Sequence, residues 1–368
     1  MNNEWVDTTL GEAAQFVNGY AFKPADLGGS SRPVIRIKQL LDAAAEIDYT
    51  DIEVPERNLI SDGDLIFSWS GTLASKFWDR GPAALNQHLF KVLPRAGSDL
   101  GWLHLALDHA VSELMTKTHG TTMKHVTKKV LESHRVQRPP LPVQRRIVDL
   151  MAHLDNHLAN LQQERLNLTE VRKGLLANYF ARPSSATERI GDLLSIKTGK
   201  LDVNQGSDTG EFPFFTCSRD IHRIDWADFH GAAVIIAGNG DLNVRYFEGD
   251  FNAYQRTYVL QALDGFNGDL RYVYFFFDYY VSTLRSNASG TVIKYIKLGD
   301  LRDAQIPVKS VDEQKELVEV LFAADQTATR LDAELTSLQV LRSQLIESLL
   351  RGSHSIPASY DSLLHEVA

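Results

Sequence analysis

Two short segments of this chain combine a glycine with hydroxyls and cations. His119-Gly120-Thr121-Thr122 is followed by Lys124 and His125, and Ser289-Gly290-Thr291 by Lys294 and Tyr295. Glycine lets a backbone approach a ligand closely, and threonine hydroxyls with lysine suit phosphate oxygens. Both segments are therefore read as contacts to a nucleic-acid backbone, with Lys128 a further cation beyond the first; a tight turn with a helix cap would use the same residues. Two other groups carry side chains able to read base edges: Ser68, Ser70, Thr72, Asn86, Gln87 and His88, then Asn239, Asn243, Arg245, Gln255 and Arg256. Catalytic patterns are missing. There is no Gly-x-x-x-x-Gly-Lys-Ser/Thr loop, no Gly-x-Gly-x-x-Gly after a strand, and no His-Glu-x-x-His among the twelve histidines. Asp48, Asp51 and Glu53 could be imagined as a divalent-ion nuclease cluster, but nothing equivalent appears in the second half, which favours a solvated loop. Pro139-Pro140 follows Arg138, which has no side-chain acceptor with which to hold a target amino group. The chain reads as non-catalytic, with no metal site.

These segments are positioned by a frame that occurs twice. A shift of 170 positions sets Gly120, Thr121 and Lys124 on Gly290, Thr291 and Lys294, and Gln144 on Gln314. The same register continues through Asp155 on Asp325, Leu161 on Leu331, Arg172 on Arg342 and Leu175 on Leu345. A constant register over about sixty residues marks an internal repeat. Upstream, Leu10-Gly11-Glu12 through Gly19 aligns with Ile190-Gly191-Asp192 through Gly199 at a shift of 180, and Asn86-Gln87-His88 with Tyr254-Gln255-Arg256 at 168. Between these anchors the copies diverge.

The expected order is a mixed α/β domain over 1–142, a long helix and linker over 143–182, a second such domain over 183–312, a second helix over 313–352 and a weakly ordered tail over 353–368. Pro139-Pro140-Leu141-Pro142 marks the first domain's exit, since proline cannot continue a central strand or helix interior. In the helices the leucine stripe has coiled-coil spacing. Ile147, Leu154, Leu161, Leu168 and Leu175 form the d positions of the first, and Leu317, Leu331, Leu338 and Leu345, with Ala324, those of the second. An isolated helix must bury such a stripe, so the two are expected to pair antiparallel as a body with pseudo-twofold symmetry, over roughly 50 Å. Arg172 and Arg342 fall at a positions and need acids such as Glu164 or Glu334 if buried.

At 368 residues, 43% hydrophobic and 23% charged, the chain has the composition of a multidomain globular protein. Cys217 is its only cysteine, which excludes a disulfide framework and suggests a cytoplasmic setting; no apolar run has the length of a membrane span. The net charge of -9 argues against an unaided DNA binder, yet Met115 to Arg146 holds eight basic residues and one acid.

Variable domain, long helix, variable domain, long helix resembles the specificity subunit of type I restriction-modification systems. The residues carrying the resemblance are Gly120, Thr121, Lys124, Pro142, Gln144 and Ile147, then Gly290, Thr291, Lys294, Pro307, Gln314 and Leu317. The resemblance implies two target recognition domains, each reading half of a bipartite double-stranded DNA site, and antiparallel helices that set the unread spacer. It also implies partners: two modification subunits that bind S-adenosylmethionine and methylate adenine, and restriction subunits that use ATP and Mg. No cofactor is expected on this chain itself. A coiled-coil scaffold that reads no DNA is the alternative.

Overall fold

The computed structural model describes residues 5–117, 126–184, 186–207, 209–286 and 295–362. They form two compact units, one drawn from residues 1–160 and 335–368, the other from 161–334. In chain order the strands are β1 (Val6–Thr9), β2 (Ala14–Asn18), β3 (Arg32–Ile35), β4 (Asp48–Thr50), β5 (Leu59–Ile60), β6 (Leu65–Ser68), β7 (Ala74–Phe77), β8 (Ala83–Leu85), β9 (Leu89–Pro94), β10 (Arg135–Arg138), β11 (Thr187–Arg189), β12 (Leu194–Thr198), β13 (Phe212–Phe215), β14 (His222–Ile224), β15 (Ala232–Ala237), β16 (Val244–Glu248), β17 (Asn252–Ala253), β18 (Thr257–Ala262) and β19 (Gln305–Pro307). The helices are α1 (Leu10–Ala13), α2 (Ile37–Leu41), α3 (Leu100–Lys117), α4 (Lys128–Glu132), α5 (Leu141–Phe180), α6 (Ile190–Leu193), α7 (Leu270–Ser286), α8 (Leu298–Arg302) and α9 (Val311–Leu350). Among the described residues no helix is long and apolar enough to cross a membrane.

In the first unit the strands form a sheet ordered β2-β9-β6-β7 and a second ordered β4-β3-β8-β5, with β3 and β8 parallel. The apolar run Leu65-Ile66-Phe67 in β6 serves both. Side chains alternate along a strand, so Leu65 and Phe67 enter the core beneath α3 with Trp102, Leu103 and Leu107, while Ile66 enters a second core with Ile35, Leu85 and Trp78. A third cluster joins Ile147 and Met151 of α5 to Leu349 of α9 and to Ile356. Here α5 and α9 run antiparallel, with Asp155 beside Arg342.

The second unit repeats this plan as β12-β18-β15-β16 and β14-β13-β17, with β13 and β17 parallel. Along β15, Val234 and Ile236 face α7 while Ala233 and Ile235 face the other core. Among the described residues β5 has no counterpart strand; an isolated bridge between Phe229 and Phe251 stands in its place. The interior beneath α7 is aromatic, with Phe180 packing against Tyr272, Phe276 and Tyr279. α5 and α9 again run antiparallel, Arg172 meeting Asp325 and Arg165 meeting Asp332.

The leucine stripe holds for most of its length and then shifts. Ile147, Leu154, Leu161, Leu168, Leu317, Leu331, Leu338 and Leu345 are buried or half-buried. Leu175 is 38% exposed, and Leu176 is buried in its place, in the same cluster as Tyr272 and Phe276. The last turns of α5 thus pack on α7 as well as on Val318 and Leu321 of α9, and the heptad assignment of Leu175 is corrected. The acids that satisfy the seam arginines are likewise not Glu164 or Glu334. Arg172 Nε donates to Asp325 Oδ1 at 2.5 Å and Nη1 to Asp278 Oδ2 of α7 at 2.6 Å. Arg342 meets Asp155, with Nη2 to Oδ2 at 2.9 Å. Burial alone would lower the Arg172 pKa; hydrogen bonding to Asp325 and the charge of Asp278 outweigh it and hold the group above its ordinary value.

Residues 353–362 do not form a loose tail. Ile356 is buried, Tyr360 Oη donates to Asp149 Oδ2 at 2.7 Å, and Arg146 holds Asp361 through two hydrogen bonds of 2.7 and 2.6 Å.

Candidate nucleic-acid interface

Each domain carries one tight turn that the same backbone bonds hold. In the first, Leu89 N donates to Asn86 O at 3.0 Å, closing Asn86-Gln87-His88-Leu89 with Gln87 and His88 at its corners. Asn86 N is tied to Ile35 O at 3.0 Å and Gln87 N to Tyr20 O at 2.9 Å. In the second, Thr257 N donates to Tyr254 O at 2.8 Å, Tyr254 N to Phe215 O at 2.9 Å and Gln255 N to Leu201 O at 3.0 Å. Gln255 and Arg256 are the corners. Gly19 and Gly199 pack against the chain around these turns: a Cβ on Gly19 would come within 2.2 Å of Asn86 O, and one on Gly199 within 1.8 Å of Ala253 O. The repeated glycines are there for close approach of two backbones.

In the second domain the neighbouring segments enclose a cleft of about 490 Å³, lined by Asn239, Gln255, Arg256, Tyr258 and Tyr295 among others. Ile296 N donates to Gly238 O at 2.8 Å, and Tyr258 Oη to Ile296 O at 3.1 Å, which fixes Tyr295 at the rim, where the residue is 60% exposed. The structure thus brings Asn239, Gln255, Arg256 and Tyr295 together. Asn243 and Arg245 serve the loop instead. Asn243 Nδ2 donates to Cys217 O at 3.1 Å, and Arg245 donates to Asn243 Oδ1, Ser218 O and Arg219 O. Burial, and then the neighbouring Arg219 charge, hold the Arg245 pKa below its ordinary value. In this structure the two side chains hold the loop, Asn243 through Cys217 O and Arg245 through Asn243 Oδ1 and two backbone carbonyls.

In the first domain Thr72 and His88 are exposed and Gln87 half-buried beside Trp69, whose ring lies 5.6 Å from His88 and whose Nε1 donates to Gln87 O at 3.2 Å. Ser68 is wholly buried and donates to Ser70 O at 3.2 Å; Ser70 and Asn86 are also buried, and Asn86 Oδ1 accepts from His88 N at 3.2 Å. The Ser68 and Asn86 side chains thus hold the loops, and Ser70 is buried beside them. Lys128 is likewise engaged, its Nζ donating to Phe16 O at 2.7 Å and facing Glu132 at 3.7 Å. His119, Thr121, Thr122, Lys124, His125, Ser289, Thr291 and Lys294 lie outside the described residues.

Two features escaped the sequence. Trp69 stands between serines singled out for polarity, and Arg219, paired with Asp241, is the most exposed cation of its loop. Gln144 and Gln314, recognised only as repeated, join each long helix to its domain. Gln144 is wholly buried; its Oε1 accepts from Asp99 N at 2.6 Å and its Nε2 donates to Gly97 O and Pro139 O at 2.9 and 2.7 Å. Gln314 accepts from Asp269 N at 2.9 Å and donates to Lys309 O at 3.0 Å. Asp99 in turn caps the start of α3 by accepting from Gly101 N and Trp102 N, and Asp269 accepts from Arg271 N.

The specificity subunit of the type I restriction enzyme EcoDI of Escherichia coli is 31% identical over 170 residues, which are 45% of this chain and 38% of that protein. The EcoBI specificity subunit, also of Escherichia coli, is 27% identical over 184 residues, 48% of this chain and 39% of that protein. The chain thus matches less than half the length of these curated relatives. The crystal structure of a type I restriction-modification S subunit from M. genitalium has a like fold, with a TM-score of 0.63 at 16% identity over 95% of this chain and 96% of that one. A structure described in terms of complex assembly and conformational transition of the type I R-M system has a TM-score of 0.63 at 18% identity, covering 96% and 99% of the two chains. The model of the type I restriction modification DNA specificity domain matches residues 2–170 and 185–338, and the chain belongs to that family.

Proposed function

We propose that this chain is the non-catalytic, DNA-reading subunit of a type I restriction-modification complex, each domain reading one half of a bipartite site. The observation that carries this reading is the pair of turns: the backbone frame and its first corner are the same in both copies while the second corner and the surrounding residues differ, as two unlike half-sites require. Asn239, Gln255, Arg256 and Tyr295 supply the second domain's contacts and Thr72, Gln87 and His88 the first's, with Thr121, Lys124, Thr291 and Lys294 added from the sequence. The helices α5 and α9 act as the spacer ruler. Two modification subunits dock on the repeated frame, bind S-adenosylmethionine and supply basic surface that a chain of charge -9 lacks; restriction subunits add ATP- and Mg-dependent cleavage. The setting is cytoplasmic.

Footprinting of the assembled chain with its modification subunits tests this. Two protected half-sites about one helical turn apart are expected. Protection without any sequence preference would instead favour a scaffold that reads no DNA.

A further inference from the structure

The two turns differ in one informative way. Both place a glutamine at the first corner, Gln87 and Gln255, and both hold that glutamine's N–H with the carbonyl of an equivalent preceding residue. The second corner is His88 in one and Arg256 in the other. Among the described residues the Gln255 and Arg256 side chains have no hydrogen-bond or ion-pair partner, and both are exposed at the mouth of the cleft. By contrast, Arg219, Arg223 and Arg245 of the same domain all donate to neighbours. Because the backbone beneath the corner is already held, only the side chain's own rotamer freedom has to be given up for the fork to align.

We propose that these corner pairs are the reading heads of the two domains: Gln87 and Gln255 each select an adenine in the major groove, and Arg256 selects a guanine at the adjacent base pair of its own half-site. The assignment rests on the DNA-reading function proposed above. Glutamine matches the N6 and N7 edge of adenine, and arginine the O6 and N7 edge of guanine, each through two hydrogen bonds. A shared first corner therefore makes both half-sites share an adenine. His88 has no fork, so the neighbouring pair of the first half-site is read less strictly.

The test uses the chain assembled with its modification subunits and a pool of DNA randomised across both half-sites, selected at one fixed salt concentration. The expected result for Arg256→Ala is loss of guanine preference at a single base pair of one half-site, on the order of 10- to 100-fold, with every other position unchanged. Arg256→Lys keeps the charge but not the fork, and should lose the same preference while total affinity and its salt dependence stay near wild type. Gln87→Ala and Gln255→Ala should each relax one adenine, in opposite half-sites, and His88→Arg should create a guanine preference in the first. Variants that weaken all sequences alike, or leave the selected site unchanged while the wild-type complex still selects a bipartite site, overturn the assignment alone. A wild-type complex that selects no sequence overturns the DNA-reading function and the assignment with it.

Discussion

Arg172 is 18% exposed between Asp325 of α9 and Asp278 of α7, whereas its repeat counterpart Arg342 is 33% exposed and hydrogen-bonds Asp155. Removing the Arg172 guanidinium strands two half-buried carboxylates, so Arg172→Ala should cost about 2–4 kcal/mol, discounted from the fully buried case for partial exposure. Arg342→Ala, which leaves one more exposed acid, should cost about 1 kcal/mol. Urea unfolding of the two variants checks the order; equal losses would show that the Asp278 contact adds nothing. The need for acids at these positions could be read from the heptad, but their identity could not. Cross-seam neighbours depend on the register of two antiparallel helices, and neither helix's own sequence discloses it. Gln144 makes the complementary point. Its replacement by leucine leaves the Asp99 N–H and two carbonyls unpaired inside the protein, and should lower stability by about 2–3 kcal/mol. The repeat flagged this residue, and only the fold shows that it clamps α5 to the cap of α3.

At the scale of elements, the failure at Leu175 follows from a change of partner. The 3-4 stripe describes packing against α9 alone, but from Leu176 onward α5 packs on α7 as well, where Phe180 enters an aromatic cluster, so the buried face rotates by one residue. Polar composition hid the docking of residues 353–362 in a similar way, because what holds them is a buried Ile356 flanked by polar anchors rather than an apolar run. Of those anchors, Tyr360 titrates on the alkaline side. Burial first, and then its hydrogen bond to the Asp149 carboxylate, push the Tyr360 hydroxyl up to about 12. A folded value above the unfolded value of about 10 means that the stabilisation is complete below that pH and is lost as the hydroxyl ionises through about 12. Tyr360→Phe should therefore narrow the stability gap with wild type between pH 10 and 12. Hydrogen exchange of the amides around Ile356 should show the segment opening in wild type over that window. Exchange that is independent of pH in this range, after correction for intrinsic rates, would separate the tail's docking from Tyr360.

For the whole molecule, the divergent domain interiors and the repeated frame predict what a domain exchange will do. The first unit has its own cores around α3 and the second an aromatic core around α7, so replacing residues 1–142 leaves every cluster of the second unit intact. The first unit is not self-contained in sequence, however. Leu350 and Ile346 of α9 pack into the core with Trp102 and Leu103, and Arg351 pairs with Glu113. A grafted domain therefore has to present an apolar surface at the positions of Trp102, Leu103 and Leu105, and an acid at 99 whose backbone N–H meets the retained Gln144, or the exchange will cost stability before specificity can be measured. With those positions kept, the exchanged chain should change one half of the selected DNA site and leave the other half unaltered. The spacer should also be unchanged, since α9 and all of α5 beyond its first two residues are untouched. Selection from randomised DNA by the assembled complex reads all three quantities at once. A spacer that moves with the domain, or a second half-site that changes with the first, would mean that the helices do not set the spacing and that the two readings are coupled.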